Sequence, residues 1–479
     1  MIRSRAASTV AAHRWLVVVL GVAGALRVAV AITYRPALFF DDSWNYLKLT
    51  YDRFPVGFEV ARPSGYPLVL KGLSAAGHHL VVFTTVQHLA GLVVGLLVYV
   101  LLIQRQVPRW LAAAATGVVL LDLYAITLEQ TILTETFFAL ALFGAAYLAI
   151  CVRPSPIAVS ASGALLAAAT LMRTAGVFAF PAWFLYLAWR RVGLRPLVVA
   201  LVSFAIPLLA YATAQHHVTG HFGLVEADGW FLYGRIGEIA SPCGEAKIPA
   251  ATRALCESTP GTHRDAPGFY AWHPDSPAKK LFVGPWYGDY AHRRRVNRLL
   301  HGFGVAIIRD RPLEYGELVL RDFGAYFVPG VRSESHPEDL PTTPPARLRE
   351  DDQRVVDSYL RGYAPPKHTP QSFLPRVERW LHTPRWLLAI FALCAIAAFV
   401  SALLRRERAG NHREAIFLVG SGILILLGSS ATSAFILRYL IPEVPLFVSG
   451  GALAICQLMK PRLPLVNGRE VGRASSDRE

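Results

Sequence analysis

The pattern that most constrains this chain is a series of apolar runs of about 20 residues, the length an α-helix needs to cross the hydrocarbon core of a bilayer. Ten such runs can be drawn: Trp15–Thr33, Leu80–Ile103, Leu111–Ala125, Ile132–Cys151, Ile157–Met172, Val177–Trp189, Leu197–Ala214, Trp386–Leu404, Ala415–Leu427 and Ala434–Leu458. Only 17% of the residues are charged and 53% are apolar, where a soluble domain carries about 25% charge. The expected fold class is an all-α polytopic membrane protein with about ten transmembrane helices.

The net charge of +15 has a membrane explanation. With the N-terminus inside, the inner loops hold Arg105 and Arg109, then Arg153, then Arg190, Arg191 and Arg195, then Arg405, Arg406, Arg408 and Arg413; the tail adds Lys460 and Arg462. The short outer loop Asp122–Thr131 has neither Lys nor Arg. That alternation obeys the positive-inside rule and expects both termini in the cytoplasm. No basic soluble domain or reader motif points to nucleic acid. The first run has a basic start but exceeds the signal-peptide core of about 7–15 residues, so it is expected to be a retained helix. Abundant Ala, Val, Leu and Arg with little Lys fits a high-GC bacterium, hence a plasma (inner) membrane protein.

Four regions follow. Residues 1–214 form a transmembrane module whose first outer loop is 34–79, and 215–383 form an extracytoplasmic domain, mixed but mostly helical. Residues 384–460 hold the last transmembrane helices, and 461–479 a disordered cytoplasmic tail. Cys243 and Cys256 lie in the second outer region with twelve residues between them. On the oxidising side of a membrane that spacing suits a disulfide. The stretch Arg293–Phe327, around Asp310-Arg311-Pro312, alternates basic and apolar residues. It reads equally as two amphipathic helices on the outer leaflet or as an ordinary globular helix pair.

Charges at the outer edge of the spans are the informative residues, because an ionisable group in a span costs about 2.5–3.5 kcal/mol and needs a partner or a task. Asp41 and Asp42 follow the first span in Phe40-Asp41-Asp42-Ser43-Trp44-Asn45-Tyr46. They are candidates for a general base with a helper, or for a pair of divalent-metal ligands. The alternative is a solvated helix start with Asp41 as N-cap. Trp44 and Tyr46 follow closely, as in sugar-contacting loops. Arg62 precedes Pro63-Ser64-Gly65-Tyr66-Pro67, a turn that can present its guanidinium to a phosphate. Arg173 and Arg438 sit outside, where the positive-inside rule disfavours them, and each needs an anionic partner. Glu135, in Thr134-Glu135-Thr136, is expected either to orient an arginine or help bind metal, or to pair with Arg27 and tie two helices together.

These motifs in this order resemble the polytopic GT-C glycosyltransferases, most nearly the family 39-like protein mannosyltransferases and the lipid A aminoarabinose transferases. The resemblance rests on Asp41-Asp42, Arg62-Pro63-Ser64-Gly65-Tyr66-Pro67, Thr134-Glu135-Thr136 and Arg438-Tyr439-Leu440-Ile441-Pro442. It covers the first 215 residues and the last span, and little of the second outer region. It implies transfer of a sugar from a polyprenyl-phosphate donor to a glycan, lipid or protein acceptor at the outer face. Asp41 or Asp42 would be the base or a metal ligand, with Glu135 beside them, and a divalent ion such as magnesium or manganese is an option it leaves open. Arg62, Arg173 and Arg438 would hold the donor phosphate, and Trp44, Tyr46, Tyr66 and Tyr439 would contact substrate. Protein mannosyltransferases usually carry Asp-Glu where this chain has Asp-Asp, so the acceptor class does not carry over. The competing reading is a flippase of lipid-linked sugars, which the absence of an internal repeat disfavours.

Overall fold

The computed structural model describes residues 11–51, 57–58, 61–77, 79–151, 155–240, 243–244, 246–257, 265–284, 289–331, 381–407 and 410–459. The tail after 460 and the Pro-rich stretch 332–380 lie outside the described residues. The first part holds α1 Arg14–Thr33, α2 Asp41–Tyr51, α3 Gly65–Ser74, α4 Leu80–Gln104, α5 Arg109–Leu120, α6 Leu123–Gln130, α7 Glu135–Cys151, α8 Pro156–Met172, α9 Phe180–Trp189 and α10 Leu194–Thr219. An inter-span segment follows with α11 Asp228–Ile236, α12 Pro267–Trp272, α13 Pro277–Leu281, α14 Tyr290–Asp310 and α15 Pro312–Ala325. The last part holds α16 Arg385–Leu404, α17 His412–Thr432 and α18 Val444–Leu458. Among the described residues the fold is all-helical apart from one parallel bridge between Leu38 and Thr131.

The protein is an all-α polytopic membrane protein. Among the described residues, six helical stretches are long and apolar enough to cross a bilayer: α1, α4, α10, α16, α17 and Leu437–Leu458, which ends in α18. The pair α5 and α6 makes a seventh if read as one span bent by 49°. Three further apolar helices, α7, α8 and Thr174–Trp189, are shorter than that. Each of the ten apolar runs therefore contains a helix, but fewer than ten have spanning length. The span Leu437–Leu458 lies at the centre, 83% buried, whereas α1 is 17% buried and turns Val17, Val18, Val28 and Ile32 outward.

One expectation is corrected. Asp122–Thr131 is not a loop: α6 fills it and is buried along its length. Asp122 is the reason for the break. Its Oδ1 accepts from the Ala125 backbone N–H at 3.0 Å, starting a new helix, and its Oδ2 accepts from the Thr383 N–H at 2.8 Å. An N-cap carboxylate satisfies donors that would otherwise be orphaned at a helix start.

The inter-span segment has its own apolar cluster, including Trp230, Tyr233, Ile236, Leu300 and Phe303. Cys243 and Cys256 are joined in a disulfide with Cα atoms 5.4 Å apart. The two readings of Arg293–Phe327 divide between two helices. The first, α14, buries Val296, Leu300, Phe303 and Ile307 as a globular helix does. Beyond the break at Arg311-Pro312, α15 buries Leu318, Val319, Asp322 and Ala325 and leaves Leu313 and Leu320 exposed.

Helices α8 and α10 approach to backbone contact at Gly163, where a Cβ would lie 2.4 Å from the Ala200 carbonyl oxygen. Small residues permit such crossings where no hydrophobic force drives helices together. Gly163→Val is expected to cost about 1–3 kcal/mol by overpacking, read as a lower thermal midpoint in detergent. Gly24→Ala, whose Cβ meets nothing within 4 Å, is expected to stay within about 0.5 kcal/mol. Equal midpoints for the two variants would contradict the crossing.

Candidate functional site

Five separate pieces of chain build the site: four turns or helix starts, and the end of α8, which carries Arg173. The first two are locked together by the backbone. Leu38 N–H donates to Gln130 O at 2.9 Å, and Ile132 N–H donates to Leu38 O at 3.2 Å. This short pairing lays the start of α2 beside the start of α7, and so brings Asp42 near Glu135. The start of α2 is set by Phe40 and Ser43, which exchange hydrogen bonds: Phe40 N–H to Ser43 Oγ at 2.9 Å, and Ser43 N–H to Phe40 O at 2.8 Å. That is the reciprocal pattern of a helix cap.

The third piece is the turn before α3. Ser64 Oγ donates to Gly57 O at 2.7 Å, and Ser64 N–H donates to the Tyr211 hydroxyl at 3.1 Å. Gly65 lies against the end of α8, where a Cβ would meet Leu171 O at 2.4 Å. This packing puts Arg62 near Arg173, which caps α8. The fourth piece is the 3-10 turn Leu437–Tyr439, which carries Arg438 at the entrance to the last span.

The charged side chains form one continuous series. Asp42 Oδ1 accepts from Arg62 Nη2 at 2.5 Å, and Asp42 Oδ2 accepts from Arg438 Nη2 at 2.8 Å. Arg438 Nη1 lies 3.9 Å from Glu135 Oε1. That same oxygen accepts from Arg173 Nη1 at 2.5 Å. Aromatic rings line the series: Arg438 lies 4.3 Å from the Phe40 ring centroid, Arg173 4.2 Å from that of Tyr439, and Arg62 5.9 Å from that of Tyr46. Such stacking holds guanidinium groups in place where water is scarce. Among the described residues, Arg438 Nε and Nη1 and Glu135 Oε2 are buried without a hydrogen-bond partner. Glu443, buried at the end of the next turn, joins none of these ion pairs.

Burial pushes the Asp42 carboxyl toward protonation, but the Arg62 and Arg438 charges outweigh it and hold its pKa below the ordinary aspartate value. Asp42 is therefore a fixed anion.

The structure thus brings Asp42, Glu135, Arg62, Arg173, Arg438, Tyr46 and Tyr439 together. Asp41 opens α2, but its side chain lies outside the described residues. Trp44 is half-buried, with its ring 4.7 Å from Phe39. Tyr66 is wholly buried and its hydroxyl donates to Gln87 Oε1 at 2.6 Å, a packing position beneath Tyr46 rather than an open one. The proposed Arg27–Glu135 pair is corrected. Arg27 Nη2 instead donates to Glu129 Oε1 at 2.7 Å, and His88 Nδ1 lies 2.8 Å from Glu129 Oε2. Glu129 is on α6, the helix that was expected to be a loop. Phe40 was missed as a site residue, although its adjacency to Asp41 was a signal.

Of the two carboxylates that could hold a divalent ion, the side chain of Asp41 lies outside the described residues and that of Asp42 is engaged by arginines. Both Asp42 oxygens already accept from guanidinium groups, and among the described residues no three of His, Cys, Asp and Glu converge. A cavity of about 50 Å³ lies against Glu135, with apolar walls from Gly91, Val94, Ala139, Ile441 and Pro445.

No protein-family model matches the sequence, and no curated protein matches it. Among solved structures it aligns with the oligosaccharyltransferase of Archaeoglobus fulgidus in its apo form. The alignment covers 92% of this chain and 50% of that one, at 14% identity and a TM-score of 0.42. The chain thus spans about half the length of that protein.

A depressed folded pKa gives stability that is present above the ordinary aspartate range and is lost only as pH falls through the lower folded value. Asp42→Asn leaves two guanidinium groups short of a counter-charge and is expected to cost about 3–5 kcal/mol. The gap in thermal midpoint between wild type and Asp42→Asn is expected to stay constant from pH 7 down to about pH 4 and to close below it. A gap that closes between pH 6 and 5 would contradict the double clamp.

Proposed function

We propose that this protein is a glycosyltransferase that moves a sugar from a polyprenyl-phosphate donor to an acceptor hydroxyl at the extracytoplasmic face of a bacterial plasma membrane. The observation that carries the reading is the buried arginine series, above all Arg438, whose Nε and Nη1 make no hydrogen bond among the described residues. A buried guanidinium with unsatisfied donors is costly unless an anion completes it. A lipid-linked phosphate supplies charge and acceptor oxygens, and it reaches such a site from within the bilayer.

The chemistry follows from the charges. The acceptor oxygen attacks the anomeric carbon, and the bond from that carbon to the phosphate oxygen breaks. Its electron pair leaves on the polyprenyl phosphate, so negative charge grows there. Arg438, Arg62 and Arg173 are fixed donors aimed at that charge in a site poor in water, where such stabilisation is strongest. The acceptor proton needs a carboxylate within reach. Glu135 fits this role through its unpartnered Oε2, whereas Asp42 is held as the counter-ion that aims Arg62 and Arg438. A single displacement of this kind inverts the anomeric centre. Trp44, Tyr46 and Tyr439 would contact the sugar. The inter-span segment would cover the site from outside, with both termini in the cytoplasm.

Transfer of label from radiolabelled polyprenyl-phosphate sugars (mannose, arabinose, glucose, galactose) in membranes tests this. One donor is expected to label a new product with wild-type protein. Glu135→Gln and Arg438→Ala are each expected to lower the rate by about 100-fold or more at equal expression. Transfer that survives in Glu135→Gln but fails in Asp41→Asn would move the base to Asp41. No transfer from any donor by folded protein, with labelled lipid crossing the bilayer instead, would favour the flippase.

A further inference from the structure

Arg438 does not sit on a regular helix. Between the end of α17 and the turn Leu437–Tyr439 the chain runs through the non-helical residues 433–436. A non-helical stretch among spans must satisfy its backbone N–H groups on other protein groups. Here the N–H groups of Phe435 and Ile436 are satisfied by α15 and the residue that follows it. Phe435 N–H donates to Asp322 Oδ2 at 3.2 Å. Ile436 N–H donates to the Tyr326 hydroxyl at 3.4 Å. The Tyr326 and Phe435 rings meet edge to face, with centroids 4.8 Å apart. Two turns before Asp322 on α15, the Tyr315 hydroxyl donates to Ala431 O at 2.7 Å, at the end of α17.

Asp322 is itself held from the inter-span segment. Its Oδ2 accepts from Arg235 Nη1 of α11 at 2.7 Å, and its Oδ1 accepts from Arg321 at 3.3 Å. Arg235 is fully buried. The same carboxylate oxygen therefore joins α11 to the backbone three residues before Arg438. A buried charge pair is no better for stability than well-packed apolar residues of the same volume. What this pair adds, and an apolar pair would not, is an acceptor for the Phe435 N–H.

We infer that Asp322 and Tyr326 are positioning residues: through the backbone of residues 435–436 they set where the Arg438 guanidinium stands, so that the inter-span segment governs phosphate binding in the membrane part. The inference rests on the reading of Arg438 as a phosphate-holding residue. Small displacements matter here, since a shift of about 1 Å at a reacting group can cost about 100-fold.

The test is binding of dodecyl phosphate to the full-length protein in detergent, by calorimetry, alongside the thermal midpoint. Arg235→Met/Asp322→Asn keeps a side-chain oxygen for the Phe435 N–H without leaving a charge unpaired. Arg235→Met/Asp322→Leu removes that acceptor. The Asn form is expected to bind within about twofold of wild type, and the Leu form about tenfold more weakly, at matching midpoints. Tyr326→Phe, which leaves no charge behind and removes only the acceptor for Ile436, is expected to weaken binding about threefold. Wild-type binding that depends on Arg438, with unchanged affinity in the Leu form and in Tyr326→Phe, would overturn the positioning role alone. Wild-type binding unaffected by Arg438→Ala, or no binding at all, would overturn the phosphate reading and the inference with it.

Discussion

Both oxygens of the Asp42 carboxylate are held by arginines, one 20 residues ahead and one 396 residues ahead in the chain. This double clamp closes the loop after the first span onto the entrance of the last. Removing any member strands charge in a buried place, which is strongly unfavourable, whereas an apolar replacement of the whole set would not be. Stability alone therefore gives no reason for three arginines and two carboxylates here. Three arginines against two carboxylates leave the set with an excess positive charge, and Arg438 Nε and Nη1 are buried without a hydrogen bond among the described residues.

The arrangement depends on backbone that is not helical. Asp42 and Glu135 stand at helix starts fixed to each other by the Leu38–Thr131 bridge. Arg438 stands on a 3-10 turn behind a non-helical stretch held by Asp322 and Tyr326. Arg62 stands in a turn held by Ser64 and Tyr211. Irregular backbone at such depth persists only where neighbouring groups satisfy it, and each irregular piece here ends on a charged side chain of the site. Regular helices supply the frame, and the breaks between them place the charged side chains.

Much of this was legible in the sequence for a simple reason. Apolar length is a local property, so each of the ten runs contains a helix. Arginines on the side of the membrane where they are disfavoured are conspicuous, and Arg173 and Arg438 do meet carboxylates. Other features were hidden. Asp122–Thr131 reads as a short polar connection because Asp122, Glu129 and Gln130 punctuate it, yet their polar atoms are satisfied inside the bundle. The resemblance implies Tyr66 as a substrate contact, but helix α3 turns its ring inward onto Tyr46.

The sequence by itself determined the membrane class, the helical content, the half-buried and buried charges that demand partners, and the cysteine pair. Each of these follows from composition within a short window and from the cost of placing a charge or a backbone group in hydrocarbon. Which carboxylate meets which arginine was decided only by the tertiary structure. On paper Glu135 could pair with Arg27, orient another arginine or help bind a metal. The choice fell to the 49° bend after Asp122, which brings Glu129 to Arg27 and leaves Glu135 for Arg173 and Arg438. Ion pairing between distant segments depends on a few ångströms of helix placement, and no local pattern in the chain encodes that.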